Sequence, residues 1–385
     1  MNHSPEDRIA NSIRAALALI AAILACLALP TPAQEPAGLQ SAGIDDGPYV
    51  FRASPRRYET LWICDGKVVR DLQRKRRKHT VIAPRCGYPR PVTIPVHVAD
   101  VESAPYTGDR IVALSDIHGQ YDLMVRLLRA HHVIDANGDW TLGRGHMVIT
   151  GDVFDRGTKV NEALWLLFHL QQQAHAAGGA VHFLLGNHEA IVLYGDLRYV
   201  NPKYLEVSRL LDRPYPALYG ADTVVGGWLR TRPVMLKLGD TLFLHGGIAP
   251  ENLDLVADID ATNHAYRESL GSAKDEVMAN PDTSRLYNGK TSPIWYRGYF
   301  NGQLATPDVQ ALVDRLDLAR IVVGHTTMNE VTSFHDGRII AIDSGIKRGE
   351  SGELLFIENG ALSRGLLDGT REPLPERDAA PVDKD

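Results

Sequence analysis

The sequence has few cysteines, no excess of positive charge and no long apolar run. Three of its 385 residues are cysteines, and one of these lies in an N-terminal apolar segment, so the remainder can form at most one internal disulfide. The formal net charge is −6, which argues against a nucleic-acid partner because such proteins present basic surfaces. Hydrophobic residues make up 44% of the chain and charged residues 23%, an ordinary composition for a globular protein.

The one marked apolar run, Ala15–Leu29, lies close to the N-terminus. It is shorter than the roughly 20 residues that a membrane-spanning helix needs. Two arginines precede it and small residues ending at Ala33 follow it, so residues 1–33 are predicted to be a secretory signal peptide. The mature protein is then periplasmic or secreted, without a stable membrane span. A retained anchor and a lipoprotein signal ending at Cys26 are the alternatives.

Two segments are predicted between the signal and the main domain. Residues 34–47 have the composition of a linker, and residues 48–106 alternate short β-branched runs with Pro and Gly, which predicts a small β-rich unit. Cys64 and Cys86 are disulfide candidates if the protein is exported, and two unpaired buried thiols are the alternative. The basic stretch Arg74–Lys78 is predicted to be a solvated hairpin or loop, or else a docking patch for acidic partners or phospholipid heads.

Residues 107–365 are predicted to form the main domain. Buried strands alternate there with amphipathic helices at Tyr121–Val133 and Val160–Ala177, a pattern typical of a layered α/β architecture. The last segment, residues 366–385, contains Pro and charged residues with few apolar ones, so we expect a disordered tail.

Five short blocks follow the predicted strands, and each carries carboxylate, amide or imidazole side chains. They are Asp116-Ile-His118-Gly, Gly151-Asp152-Val-Phe-Asp155-Arg156-Gly, Gly186-Asn187-His188-Glu189, His245-Gly-Gly and Gly324-His325-Thr. A sheet gathers such side chains at one edge. Two metal ions about 3.5–4 Å apart, joined by a bridging carboxylate, would activate a water and neutralise charge on a phosphate ester.

In this order the blocks resemble those of the calcineurin-like metallophosphoesterases. The Asp155-Arg156-Gly sequence and Glu189 are similar to the PPP-type protein phosphatase branch. His245-Gly-Gly-Ile, Trp295-Tyr-Arg297-Gly and Val322-Val-Gly-His325-Thr resemble the Shewanella-like bacterial phosphatases. The resemblance covers about residues 109–360. It implies a layered β-sandwich flanked by helices, an α/β fold, with the small β-rich unit before it.

The resemblance also implies six ligands for two divalent metal ions that share one carboxylate. They are Asp116 and His118 for the first ion, Asp152 as the bridge, and Asn187, His245 and His325 for the second. Manganese is the first expectation, and iron, zinc and magnesium are alternatives, because oxygen and imidazole ligands suit all four.

Further roles follow from the same resemblance. His188 corresponds to the proton donor for the leaving oxygen, and Asp155 would orient it and stabilise its charge. Arg156 would contact the phosphate through its forked donors. Arg297 would make a second phosphate contact, although an arginine beside aromatic residues can also simply stack on them. Asp343 ends a strand near the expected site and fits a structural turn equally well.

Two positions depart from the wider pattern. Leu185 stands where eukaryotic PPP enzymes have an arginine before the Gly-Asn-His-Glu block, so one phosphate contact is absent or comes from Arg297. Thr327 stands where the wider superfamily has a second histidine, a loss that PPP enzymes share. Both departures favour a bacterial PPP-like phosphatase over a general phosphodiesterase.

The leading hypothesis is a dimetal phosphomonoesterase that acts on phosphotyrosine or phosphoserine/threonine in proteins, or on small phosphomonoesters. The resemblance implies attack by a hydroxide held between the two metals, with His188 as proton donor. A nucleotide or dinucleotide polyphosphate hydrolase is the second hypothesis, against which Asp155, Arg156 and Glu189 count. A non-catalytic envelope binding protein is the third, but none of the ligand positions is degenerate.

Overall fold

The computed structural model describes residues 43–96, 106 and 110–378. The predicted signal peptide, and most of the predicted linker, lie outside these residues. In the part of the chain that is described, helices are either too short or too polar to cross a membrane.

The N-terminal unit consists of two small antiparallel sheets. The first contains β1 (Asp46–Ser54), β2 (Arg57–Cys64) and β3 (Lys67–Arg74), and the second contains β4 (His79–Ile82) and β5 (Val92–Pro95). Strand β1 begins inside the segment predicted as linker. A two-residue turn, Asp65-Gly66, joins β2 to β3 with positive φ at both positions, the backbone that this hairpin type needs. A disulfide joins Cys64 to Cys86.

This unit does not stand apart from the main domain. Tyr49 and Phe51 on β1 belong to the same hydrophobic core as Phe154 and Trp165 of the main domain. The indole N–H of Trp165 donates a hydrogen bond of 2.9 Å to the carbonyl of Pro48. The β-rich segment therefore completes the main core.

The main domain contains two six-stranded mixed sheets. The first is formed by β6 (Arg110–Leu114), β7 (His146–Ile149), β8 (Ala180–Phe183), β14 (Leu354–Glu358), β15 (Ala361–Gly365) and β16 (Arg371–Glu372). The second is formed by β9 (Met235–Leu238), β10 (Thr241–Leu244), β11 (Arg320–Val323), β12 (Thr332–Phe334), β13 (Ile339–Ala341) and β17 (Glu376–Arg377). The spatial orders are 16-15-14-6-7-8 and 17-12-13-11-10-9.

The two sheets share a core of their own. Ile111 and Ala113 on β6 lie in one cluster with Phe243 and Ile340 from the other sheet. The alternate residues of β6, such as Val112, belong to the larger cluster that includes the helices. Since successive side chains of a strand point to opposite faces, β6 is buried on both sides, as the unbroken apolar run predicts.

Ten α-helices are described. They are α1 (Tyr121–Ala130), α2 (Val160–Ala176), α3 (Asn187–Leu193), α4 (Pro202–Leu211), α5 (Val224–Leu229), α6 (Leu253–Ala257), α7 (Ile259–Ser269), α8 (Lys274–Ala279), α9 (Pro281–Ser284) and α10 (Thr306–Arg315). Short 3₁₀ turns occupy Tyr215–Tyr219, Pro250–Asn252 and Ile346–Arg348. Helices α1 and α2 begin where the sequence periodicity predicts.

The prediction of a disordered tail is wrong for residues 366–378. Strand β16 pairs antiparallel with β15, and β17 pairs parallel with β12. Arg371 forms an ion pair with Glu358, and Arg377 forms one with Glu330. The segment extends two sheet edges through backbone hydrogen bonds and ion pairs, so its low apolar content does not reveal it. Residues 379–385 lie outside the described part.

Strands β6, β7 and β8 run parallel, as do β10, β11 and β13 in the other sheet. Their carboxyl ends therefore open toward common edges, where α/β sheets place their sites. Each of the five blocks follows one of these strands.

Candidate active site

Asp152 is shared by two clusters of possible metal ligands. Ligand atoms of His118, Asp152 and His188 lie within 4.8 Å of one another, and those of Asp152, His245 and His325 do as well. One oxygen of Asp152, Oδ2, lies 3.1 Å from His245 Nε2 and 3.7 Å from His118 Nε2. A single carboxylate thus faces ligands from both sheets, which is the arrangement that a bridging ligand requires.

The six predicted ligands come together and are buried. We call them the ligand floor: Asp116, His118, Asp152, Asn187, His245 and His325. None is more than 4% exposed. Asn187 Oδ1 lies 2.8 Å from His245 Nε2, on the side of the histidine that also faces Asp152.

The backbone of the ligand floor is strained. Asp116, His118, Asp152 and His325 all have φ between 44° and 63°, a region that costs an L-residue about 1–3 kcal/mol. Glycine is required beside them, since a Cβ on Gly186 would lie 2.2 Å from Asp152 Oδ1. Such strain lowers the stability of the fold, so the concentration of strained residues at these positions supports a functional site.

The ligand histidines are oriented by backbone carbonyls. Nδ1–H of His118 donates to the carbonyl of Phe154, and Nδ1–H of His245 donates to that of Thr150, both at 2.7 Å. A carbonyl can only accept, so Nε2 of each ring is turned toward the carboxylates. Nε2 of His325 lies 3.2 Å from the carbonyl of Trp295, which leaves its Nδ1 on the ligand side.

The charges of the ligand floor fit a cation. Burial, together with Asp343 and Asp152, raises the pKa of Asp116 to about 7. Burial opposes ionisation of Asp152, but His245 and His188 outweigh it and hold its pKa well below the usual value. Burial also lowers the pKa of His118 and His325 well below the ordinary value, so both rings are neutral donors. Burial lowers the pKa of His245, but Asp152 outweighs it and raises the value to about 9. The two neutral imidazoles and the buried carboxylates are ligand types that suit divalent metal ions.

Glu189 fixes two of the ligand loops, a role that its place in the motif does not by itself reveal. Its fully buried carboxylate accepts hydrogen bonds from the backbone N–H groups of Asp152, Val153 and Gly186 at 2.7–2.9 Å. Gly186 caps α3, and Glu189, its third residue, accepts the Gly186 N–H, which is the half of a capping box that a glycine N-cap allows. A Glu three residues after a helix N-cap was the available signal.

His188 and Asp155 form a buried pair beside the ligand floor. Nδ1–H of His188 donates to Asp155 Oδ2 at 2.5 Å, and its Nε2 lies 3.9 Å from Asp152 Oδ2. Burial lowers the pKa of His188, but Asp152 and Asp155 outweigh it and raise the pKa overall. The ring is thus held by one carboxylate and directed at the other. This geometry serves a proton donor, although its distances also place His188 in a ligand cluster.

Arginine and tyrosine side chains form the outer part of the site. We call Arg156, Tyr199 and Arg297 the substrate rim. Arg156 Nε is buried and has no hydrogen-bond partner among the described residues. Arg297 Nη1–H donates to the backbone carbonyl of His325 at 2.7 Å, which attaches this arginine directly to a ligand loop.

Tyr199 is the residue of the rim that the sequence does not single out. It is 41% exposed, and its ring centroid lies 5.2 Å from that of His188. The guanidinium of Arg156 lies 5.8 Å from the same ring, and the backbone N–H of Arg156 donates to the Tyr199 carbonyl. An exposed aromatic ring therefore stands between the predicted proton donor and the predicted phosphate-binding arginine.

The profile of the family described as calcineurin-like phosphoesterase matches residues 109–328. The chain belongs to the calcineurin-like phosphoesterases.

Known proteins similar to this phosphoesterase include phosphatases. The cold-active protein-tyrosine phosphatase of a psychrophilic Shewanella species is 40% identical, with a TM-score of 0.80, over 86% of this chain and 99% of that chain. Shewanella-like protein phosphatase 2 of Arabidopsis thaliana is 27% identical over 63% of this chain and 72% of its own. Symmetrical bis(5'-nucleosyl)-tetraphosphatase of Chromobacterium violaceum is 31% identical over 66% of this chain and 93% of its own.

These findings confirm several predictions made from the sequence. The family, the mixed α/β fold with a β-rich N-terminal region, and the class of enzyme are those expected. The calcineurin-like phosphoesterase also has the clusters of His and Asp that divalent metals need.

The two departures from the wider pattern have structural consequences in this phosphoesterase. Leu185 is buried and belongs to the hydrophobic core, so its side chain makes no contact with a phosphate in the site. Thr327 donates its hydroxyl to Asp343 at 2.6 Å. Asp343 is fully buried, also accepts from the N–H of Gly345, and lies 3.9 Å from Lys347 Nζ. These bonds give Asp343 a structural role, and its charge contributes to the raised pKa of Asp116.

Proposed function

We propose that this protein is a two-metal phosphomonoesterase that acts on phosphorylated proteins, with phosphotyrosine as the preferred residue. The observation that carries the proposal is the position of His188. Its ring is bonded to Asp155 and directed toward the carboxylate shared by both ligand clusters. A proton donor so close to the bridging position suits the hydrolysis of an ester whose oxygen is a poor leaving group until it is protonated.

The ligand floor would hold the two ions through the six residues named above, with Asp152 common to both. When bound, divalent cations supply Lewis-acid activation of water and neutralise charge that develops on the phosphate. Manganese is our first expectation, and iron, zinc and magnesium suit the same oxygen and imidazole donors.

The remaining steps belong to the chain's own side chains. As water adds to phosphorus it gives up one proton to the solvent, the P–O ester bond breaks, and Nε2–H of His188 passes its proton to the departing ester oxygen. Asp155 holds the ring and stabilises its positive charge before the transfer. Arg156 and Arg297 bind the non-bridging phosphate oxygens through charged hydrogen bonds. The unpartnered Nε of Arg156 supports this assignment.

The preference for phosphotyrosine rests on Tyr199. The leaving oxygen must lie beside His188, so the group attached to that oxygen lies beside the ring next to His188, which is Tyr199. An aryl group can stack on this ring, whereas the short methylene of phosphoserine leaves it uncovered. The similarity to a Shewanella protein-tyrosine phosphatase supports the same preference.

We also propose export from the cytoplasm. Support comes from the predicted signal over residues 1–33 and from the disulfide between Cys64 and Cys86, which an oxidising compartment favours. N-terminal sequencing of the protein recovered from the periplasm or medium would test this. Recovery of the uncleaved chain from the cytosol alone would contradict it.

Hydrolysis of dinucleotide polyphosphates is the second candidate. It is favoured by the similarity to a bis(5'-nucleosyl)-tetraphosphatase over 93% of that protein. One panel separates the candidates: phosphotyrosyl peptide, phosphoseryl peptide and diadenosine tetraphosphate, each with manganese, iron, zinc and magnesium. We expect the phosphotyrosyl peptide to have the highest kcat/KM. A higher value for the dinucleotide would replace our proposal with the second candidate.

The panel needs a variant that removes the site and a matched variant that does not. Asp152→Asn with His188→Ala should abolish hydrolysis of every substrate. Asp314→Asn with His264→Ala makes the same chemical changes at exposed positions and should leave the rates unaltered. Activity that survived the first pair would contradict the site assignment.

A further inference from the structure

One end of the β1–β2–β3 sheet collects positive charge from two separate segments. In the antiparallel register, Arg57 of β2 lies opposite Arg74 of β3. The backbone N–H of Lys75 donates to the carbonyl of Arg56 at 2.9 Å, which holds the β3–β4 loop against the β1–β2 turn. We call the exposed cations of these two segments the cationic pole: Arg56, Arg57, Arg74, Arg76, Arg77 and Lys78.

No carboxylate neutralises this cluster within the described part of the chain. None of its six members forms an ion pair there, although the whole protein has a net charge of −6. The acids on the strands of the same sheet are engaged elsewhere: Asp46 pairs with Lys203, Glu59 with Arg70 and Asp71 with Arg85. Like charges directly opposite one another on paired strands destabilise a sheet. The pole therefore costs folding free energy, which points to a role in binding.

Exposed aliphatic side chains lie beside the cationic pole. Leu72 is 61% exposed on β3, an edge strand, and alternation along the strand puts it on the same face as Arg74. Val81 is 49% exposed and lines a groove of about 500 Å³ together with Arg74 and Arg76. Single exposed aliphatics are common. Leu72 and Val81 differ from ordinary exposed aliphatic residues because they lie among cations that no carboxylate neutralises.

We propose that the cationic pole and its adjoining aliphatics, Leu72 and Val81, bind the surface of an anionic phospholipid membrane. Arg and Lys side chains attract the phosphate headgroups, while aliphatic side chains enter the boundary between headgroups and acyl chains. A nucleic acid fits less well, because single-stranded binders stack bases on exposed aromatic rings. Tyr58, the aromatic residue nearest in sequence to Arg57, is buried. Attachment of this kind keeps the phosphatase near membrane-associated phosphoproteins.

The test is flotation of the full chain with vesicles of phosphatidylcholine alone, and of phosphatidylcholine mixed with phosphatidylglycerol. We expect binding only to the mixed vesicles, weakened by salt. Replacing Arg76, Arg77 and Lys78 with Gln should reduce partitioning about 100-fold, since each cation near an anionic surface contributes about fivefold. Leu72→Ser with Val81→Ser should reduce it about tenfold.

A matched triple variant controls for total charge. Arg126→Gln, Arg144→Gln and Lys290→Gln remove three exposed cations outside the pole and should leave vesicle binding unaltered. Any contribution from residues outside the described part is common to all variants. Hydrolysis of a soluble aryl phosphate at the parental rate verifies folding of each.

Three outcomes would overturn the proposal. The first is equal binding by the pole variant and the parent. The second is loss of binding in the control triple variant, which would indicate that vesicle binding depends on the total net charge and not on the cationic pole. The third is no vesicle binding combined with retention of an acidic polypeptide or of single-stranded DNA, which would assign the pole to that polyanion. Absence of phosphatase activity in the parent would contradict the proposed function without affecting the vesicle result, and circular dichroism would then verify the folding of each variant.

Discussion

The ligand floor and the substrate rim differ in how firmly the protein holds them. Asp152 accepts the backbone N–H of His188 at one oxygen and faces His245 with the other, and it is buried. Tyr199 is 41% exposed, and the Nε of Arg156 has no described partner. The ligand floor is thus fixed by the fold, whereas the rim keeps an unpartnered donor and an exposed ring surface.

The difference follows from where the residues come from. The ligand floor grows out of turns directly after parallel strands, and Glu189 bonds two of those turns together. Tyr199 and Arg297 lie instead in connections between helices, before α4 and before α10, whereas Arg156 shares the β7–α2 connection with Asp152. Rigid placement suits groups that hold ions at short distances. A less constrained rim suits groups that must close on a phosphorylated side chain.

The largest expected effect is at the centre of the ligand floor. Asp152→Asn removes the charge that both ligand clusters share, so we expect kcat/KM to fall by about 1000-fold or more. Metal content, measured by atomic spectroscopy on the purified protein, should fall in the same variant. Asp314→Asn on α10 is the matched control. Full metal content with full activity in Asp152→Asn would show that Asp152 does not bridge.

The next largest effect is expected at the pair His188 and Asp155, which lies between the ligand floor and the substrate rim. His188→Ala removes the proton donor, a loss of roughly 100- to 10,000-fold for esters with poor leaving groups. A substrate such as 4-nitrophenyl phosphate, whose leaving group needs no proton, should lose much less. Asp155→Asn should show the same dependence on the leaving group, more weakly, because the ring keeps an acceptor but loses the charge behind it.

This experiment also decides which role His188 has. Its Nε2 lies close enough to Asp152 to be counted in a ligand cluster. A proton donor predicts unaltered metal content in His188→Ala together with the leaving-group dependence. Loss of metal, with equal losses on both classes of ester, would make His188 a ligand instead.

The same contrast explains what could be predicted from the sequence. The helix starts at Tyr121 and Val160 and the convergence of the ligand blocks follow from apolar runs ending in polar turns, which are local patterns. Tyr199 carries no local signal, because its place beside His188 depends on the α3–α4 connection packing against the Asp155-Arg156 turn, which is distant in sequence. The strands β16 and β17 were missed for a related reason. Sheet edges accept polar segments through backbone pairing, which composition does not record.

The smallest predicted effect, at Tyr199, tests the rim most directly. Tyr199→Ala should lower kcat/KM for a phosphotyrosyl peptide by about three- to tenfold, since an aromatic pair contributes about 0.5–1.5 kcal/mol. Hydrolysis of a phosphoseryl peptide should decrease less, and Tyr199→Phe, which keeps the ring, should preserve the ratio between the two. Equal losses on both peptides would mean that Tyr199 acts by holding Arg156, whose N–H bonds to its carbonyl. The rim would then be part of the fixed scaffold, and the selectivity for aryl esters would have to come from another residue.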